Sequence, residues 1–162
     1  MGEGSLQISQ GRQNQLEISA DPLVLMNSGV LTINTREGAL GKLMVKDLKK
    51  VTLCGNVQVD IDELRGEQFM IIMQAEGTPL LEGTLYFKKL AATLYGNALV
   101  SLQGEVKDQT IYIKGSGLYA GDRLKTEKTT IHAEGLKPSS VWASKLLQAT
   151  GSGKVQNVYE QL

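Results

Sequence analysis

The sequence predicts an all-β, single-stranded parallel β-helix, a solenoid of about seven to eight coils of roughly 20 residues each. Three observations predict it. A phrase recurs along the chain with a near-constant period. Within each phrase apolar and polar residues alternate. The 162 residues include 18 glycines but only 3 prolines, and aromatic residues make up 5%, a balance that suits many short strands joined by tight turns.

The repeat is clearest in "VTLCGN" from Val51 and "ATLYGN" from Ala92. Between and after them stand diverged copies: "IIMQAEG" from Ile71, "IYIKGSG" from Ile111, "TTIHAEG" from Thr129 and "LQATGSG" from Leu147. The steps between starts are 20, 21, 19, 18 and 18 residues. That period is too short for a propeller blade or a helical repeat, and the leucine-rich pattern is absent, which leaves the parallel β-helix. First positions (Val51, Ile71, Ala92, Ile111, Thr129, Leu147) and third positions (Leu53, Met73, Leu94, Ile113, Ile131, Ala149) are nearly all apolar. Second and fourth positions, such as Thr52, Thr93, Tyr112 and Thr130, then Tyr95, Lys114 and His132, are mostly polar or amphipathic. In-out alternation is the signature of a half-buried strand. Stacking the coils about 4.8 Å apart turns the inward columns into one continuous aliphatic core.

The remaining elements follow in chain order. "LEISA" (16–20), "LVLMNSGVLTINT" (23–35) and "LMVKDL" (43–48) read as strands of the first coils, with a hairpin turn at "NSGVLT" (27–32) that allows an antiparallel cap. Glycine after each phrase supplies the positive φ of a coil corner. A second strand follows each corner, beginning at Val57, Leu80, Leu99, Leu118, Val141 and Val155. A third apolar anchor precedes the next phrase: Leu64, Leu85 or Phe87, Leu102 or Val106, Leu124 and Leu146. "SSVWASKLLQAT" (139–150) has helix-like features, yet the register reads it as strand and turn. The chain is one domain: irregular coils or a cap over 1–50, regular coils over 51–150, and a closing coil over 151–162. Right-handed winding is expected from the general handedness of parallel crossovers.

Charge excludes some partners. Seventeen basic residues balance seventeen acidic ones and are scattered, so no field draws the chain to nucleic acid. No apolar run approaches the roughly 20 residues of a spanning helix. The first fifteen residues are polar with no signal-peptide h-region; either the chain works in the cytosol or a leader lies upstream of it. The single cysteine, Cys54, forms no internal disulfide.

Candidate chemistry is thin, and neither a catalytic residue nor a metal or cofactor is expected. His132 and Cys54 share a column four coils apart, roughly 19 Å, too far for a nucleophile–base dyad. One histidine and one cysteine do not make a zinc site. Asp60, Asp62 and Glu63 have a spacing that suits calcium or a glycosidase carboxylate pair, but the next coil offers no second acidic cluster, so a solvated corner is the plainer reading. "GSGK" (151–154) lacks the strand–loop–helix context of a phosphate loop. Trp142 is assigned to covering the open end of the core. The best binding surface is the outward face of Thr52, Thr93, Tyr95, Tyr112, Lys114, Thr130 and His132, whose hydroxyls and rings suit a glycan or a protein edge.

The ending "VWASKLLQATGSGKVQNVY" (141–159) resembles that of the putative auto-transporter adhesin, head-GIN domain family, through Val141, Ala143, Leu146, Ala149, Gly151, Gly153, Val155 and Tyr159. The family's final Gly-x-Pro is replaced by "EQL". The internal "YGNALVSL" and "KGSGLYA" and the opening "SLQISQGRQNQLEISAD" are similar to its repeats and first strands, so the resemblance spans nearly the whole chain. It implies a β-helix, an exported bacterial protein with a signal or lipoprotein leader, and a periplasmic, outer-membrane or secreted setting. Together these readings favour a non-enzymatic envelope module for adhesion or interaction, with a glycan, an envelope protein or a second copy as partner. A small carbohydrate-active enzyme and a cytosolic bactofilin-like scaffold are the alternatives.

Overall fold

Alternating side chains can face both a core and water over many residues only if the strand itself bends around the core, and that is how each turn is built. The computed structural model describes residues 4–11, 15–18, 23–27, 30–34, 40–45, 48–54, 57–74, 79–134 and 137–157. Four long strands, β7 (Val57–Gln74), β8 (Leu80–Tyr95), β9 (Leu99–Lys114) and β10 (Leu118–Glu134), each make a whole turn, and β11 (Ser139–Thr150) follows. All pair in parallel with the next, and β12 (Val155–Asn157) pairs with the start of β11. The result is an all-β parallel solenoid of about five turns without a helix among the described residues. The expected seven to eight coils overcount, because the N-terminal strands do not each complete a turn. The segment 139–150 is strand throughout.

The first fifty residues pair differently from the rest. β1 (Gly4–Gln10) lies parallel to the first half of β7, with Leu6 beside Val59 and Ile8 beside Ile61. β6 (Lys50–Cys54) lies parallel to its second half. Outside β1 come β5 (Leu40–Val45), parallel, and β2 (Gln15–Ile18), antiparallel. Outside β6 comes β4 (Val30–Asn34), parallel, with β3 (Leu23–Asn27) antiparallel to it. The hairpin foreseen around 27–32 is therefore β3–β4. β2 and β3, which fall within the predicted N-terminal coils, are antiparallel additions rather than parallel coils.

The inward columns are register-locked. One runs Val51, Ile71, Ala92, Ile111 and Ile131 and ends at Ala149, which is exposed on the last turn. The next runs Leu53, Met73, Leu94, Ile113 and Ala133, all essentially without solvent exposure. Burying each of the larger side chains contributes about 1.5–3 kcal/mol relative to leaving it in water. The sequence alignment placed Thr129 and Leu147 in the first of these columns. The structure shifts both by two residues, Thr129 beside Gln109 and Leu147 beside Thr129. A shift of two keeps every side chain on its own face, so the alternation could not reveal it. Irregularities in pairing between Ala120 and Arg123 on one side of β10, and between Ala120 and Lys125 and between Thr126 and Lys128 on the other, absorb the offset.

Thr129 is fully buried because its hydroxyl has partners. Tyr119 Oη donates to Gln109 Oε1 at 2.7 Å, and Gln109 Nε2 donates to Thr129 Oγ1 at 2.9 Å. Thr126 Oγ1 donates to the Trp142 carbonyl at 2.8 Å, which leaves the Thr129 hydroxyl to donate to Thr126 Oγ1 at 2.7 Å. Every donor in this chain points the same way, so the bonds polarise one another. Burial pushes the Tyr119 phenol far above its ordinary value of 10.0, so it remains a donor. Folding therefore favours the protonated form. The stability this provides is complete below pH 10 and is lost as pH rises beyond it. Tyr119→Phe is expected to flatten the alkaline limb of a urea-midpoint profile measured from pH 8 to 11.5.

Both ends of one wall are closed by amide side chains that imitate a peptide group. Gln10 Oε1 accepts from the Arg65 N–H at 2.9 Å, and its Nε2 donates to the Arg65 carbonyl at 3.2 Å. At the other end Asn157 Oδ1 accepts from the Ala143 N–H at 3.0 Å, and its Nδ2 donates to the Ala143 carbonyl at 3.1 Å. Each satisfies a strand-edge donor and acceptor that would otherwise invite pairing with another chain.

Candidate binding surfaces

Outward positions repeat in register just as inward ones do, so a residue type chosen once per turn becomes a ladder. The predicted face forms such a ladder. Thr52, Ile72, Thr93, Tyr112, His132 and Thr150 stand in one column. Tyr95 is beside Lys114, and Lys114 beside Glu134, in the column two residues on. The Tyr112 and His132 rings stack with centroids 5.3 Å apart and planes 12° apart. Tyr95 meets Tyr112 edge-on at 6.3 Å. His132 Nδ1 shares a hydrogen with Thr150 Oγ1 at 2.8 Å, and Nε2 lies 3.2 Å from Glu134 Oε1. The imidazole is thus held at both nitrogens, and the aromatic stack is pre-oriented. Thr130 belongs to a different column, with Thr110 and Ala91, at the margin of the stack.

Two sequence readings change here. Cys54 and His132 do not share a column: Cys54 pairs with Gln74, two positions from the Thr52 column that contains His132. Four turns still separate them, so the dyad stays excluded. The alignment slipped by two for the reason given above.

The acidic stretch also has a closer neighbour than the sequence suggested. Asp60 is the register partner of Glu82, and Asp60, Asp62 and Glu82 line a cleft of about 400 Å³ with Ser101, Gln103 and Arg123. The three carboxylates are exposed, so no described residue closes over them to exclude water. Among the described residues no three His, Cys, Asp or Glu side chains converge as a metal site.

A second cleft, of about 530 Å³, was not visible in the sequence. It runs across the turns along the column Arg65, Tyr86, Glu105, Lys125 and Trp142. The Arg65 guanidinium lies 4.2 Å from the Tyr86 ring centroid, and the Lys125 ammonium 5.9 Å from that of Trp142. Trp142 therefore lies on the outer wall rather than over the end of the core. Its neighbours Val141 and Ala143 are the buried ones. Because the cleft residues come one from each turn at spacings of 17 to 21 (65, 86, 105, 125, 142), only exact coil registers would have collected them.

These features define a class: a β-solenoid whose exterior is a set of side-chain ladders held by register, without a converged catalytic or metal cluster among the described residues. The chain belongs to the family described as putative auto-transporter adhesin, head GIN domain, whose profile matches residues 2–160. Its fold is similar to that of a putative adhesin from Bacteroides fragilis, with a TM-score of 0.80 at 16% identity over 96% of this chain and 88% of that one. It is also similar to a putative lipid binding protein from Parabacteroides distasonis, with a TM-score of 0.63 at 14% identity over 98% of this chain and 88% of that one. No curated protein matches the sequence.

Proposed function

We propose that the protein is a non-enzymatic binding module of the bacterial envelope or cell exterior, contacting a glycan or an envelope protein through the face of Thr93, Tyr95, Tyr112, Lys114, Thr130 and His132. The observation that carries this reading is the Tyr95–Tyr112–His132 stack. Tyr95 is exposed although large and amphipathic, and the rings beside it are already ordered, so binding there forfeits little side-chain entropy. Tyrosine provides contact area and a hydroxyl at low entropic cost. Family membership supports an adhesive role and an extracellular or envelope setting.

Beads coated with the protein test this on intact Bacteroides fragilis cells, the source of a structural neighbour, and on their isolated envelopes. Wild-type beads are expected to adhere, and Tyr95→Ser/Tyr112→Ser beads to lose about tenfold in retained signal, the change a loss of 1.4 kcal/mol produces. Circular dichroism confirms that the variant folds. Equal adhesion by both proteins removes this face from the function, and no adhesion by either removes the adhesive reading.

A further inference from the structure

We infer that the cleft along Arg65, Tyr86, Glu105, Lys125 and Trp142 is a second binding site, and that its ligand is a carboxylated polysaccharide lying along the solenoid axis. The inference rests on reading the protein as a binding module, but not on the tyrosine–histidine face.

Three features of the cleft select that ligand. The first is shape. The column crosses five turns, so at about 4.8 Å per turn Arg65 and Trp142 are roughly 19 Å apart, and Tyr86 and Trp142 roughly 14 Å. An extended chain of a few pyranose units matches this length; a compact ion does not.

The second is charge. The outward ridge beside the column contributes Lys88, Lys107 and Glu127 to the lining. Lys88 is paired with Glu67 at 3.0 Å, and Glu127 with Lys145 at 3.3 Å. Lys107 stands between these two pairs without an ion-pair partner among the described residues. With Lys125 across the cleft, it gives a neutral protein a local pair of cations aimed at one space. Lysine ammonium groups are suited to carboxylates presented at intervals along a chain.

The third is the mixture. Glu105 stands between Tyr86 and Lys125 in the column. A carboxylate in the middle of the site opposes a pure polyanion but accepts hydrogen bonds from sugar hydroxyls. Tyr86 and Trp142 add amphipathic rings, which suit the apolar face of a sugar. A uronic-acid chain satisfies the cations, the carboxylate and the rings together. An acidic peptide or a phosphate cluster satisfies only the cations.

Titration calorimetry at low salt tests the assignment with four probes: tetragalacturonate, a mannuronate tetramer, neutral maltotetraose, and a polyglutamate of matched charge. At least one of the two carboxylated sugars is expected to bind, with maltotetraose and polyglutamate at least about tenfold weaker. Lys107→Gln and Lys125→Gln, both exposed positions, are each expected to weaken binding about fivefold or more. Raising the salt to 0.5 M is expected to weaken it further. Lys137→Gln, an exposed lysine outside both surfaces, is expected to bind the sugars as wild type does. Silence from both carboxylated sugars overturns the proposal. So does equal binding of polyglutamate, equal binding of maltotetraose, or indifference to both lysine substitutions. The bead assay on the tyrosine face is unaffected by any of these results, so the two readings fail separately.

Discussion

Gly104→Ala is expected to lower the free energy of unfolding by about 3 kcal/mol or more, a large effect for a single added methyl. Gly104 has φ of +115°, a region that L side chains rarely adopt. Its Cβ would collide with the carbonyl oxygen of Leu85 on the preceding turn. The two costs are independent. Backbone strain at positive φ costs about 1–3 kcal/mol, and forcing atoms into a packed interior typically costs about 1–3 kcal/mol more. The obstacle is main chain held in the β8–β9 ladder, so it cannot rotate away as a side chain could. Gly117→Ala is the control. Its new methyl would lie 3.3 Å from the nearest atom, the Ala98 oxygen, and the loss should be markedly smaller. Urea unfolding of the two variants measures the difference; equal, small losses would mean that the turns at Leu85 and Gly104 are not stacked as described.

Gln109→Leu is expected to cost about 2–4 kcal/mol, more than its own hydrogen bonds contribute. The substitution strands the Tyr119 hydroxyl without an acceptor and removes the donor to Thr129, both inside the core. A buried polar group left unpaired costs about 1–3 kcal/mol each, whereas removing all partners together is nearly neutral. The triple variant Tyr119→Phe/Gln109→Leu/Thr129→Val should therefore be more stable than Gln109→Leu alone. Chemical denaturation of single and triple variants reads this directly. If the triple variant is instead the least stable of the set, the network is contributing net stability rather than only avoiding a penalty.

That same network shows where reading the sequence stopped. Thr129 was legible as an inward residue, and it is fully buried, but the repeat set it beside Ile111; Gln109 belonged to no recurring phrase, so nothing in the sequence marked it as Thr129's buried partner. Their pairing depends on a 20-residue offset that period-2 alternation cannot distinguish from 18. The tyrosine–histidine face was legible in part. Tyr112 and His132 alternate outward under either register, so both were found. Their direct stacking required the correct one. The charged cleft was missed because its residues share no local motif; Arg65, Glu105 and Lys125 look like ordinary solvated positions.

The glycine-punctuated repeat and the in-out alternation determined, by themselves, the fold class, the parallel stacking of residues 51–134 and the identity of most core side chains. Those properties depend on local backbone geometry and on which residues leave water, and both are written within a few neighbouring positions. The number of turns, the pairing of β2 with β5, the buried hydrogen-bonded chain and the cleft were decided only by the tertiary structure. Each depends on exact offsets between segments well separated along the chain, and pairing energy between whole strands, not local preference, selects those offsets.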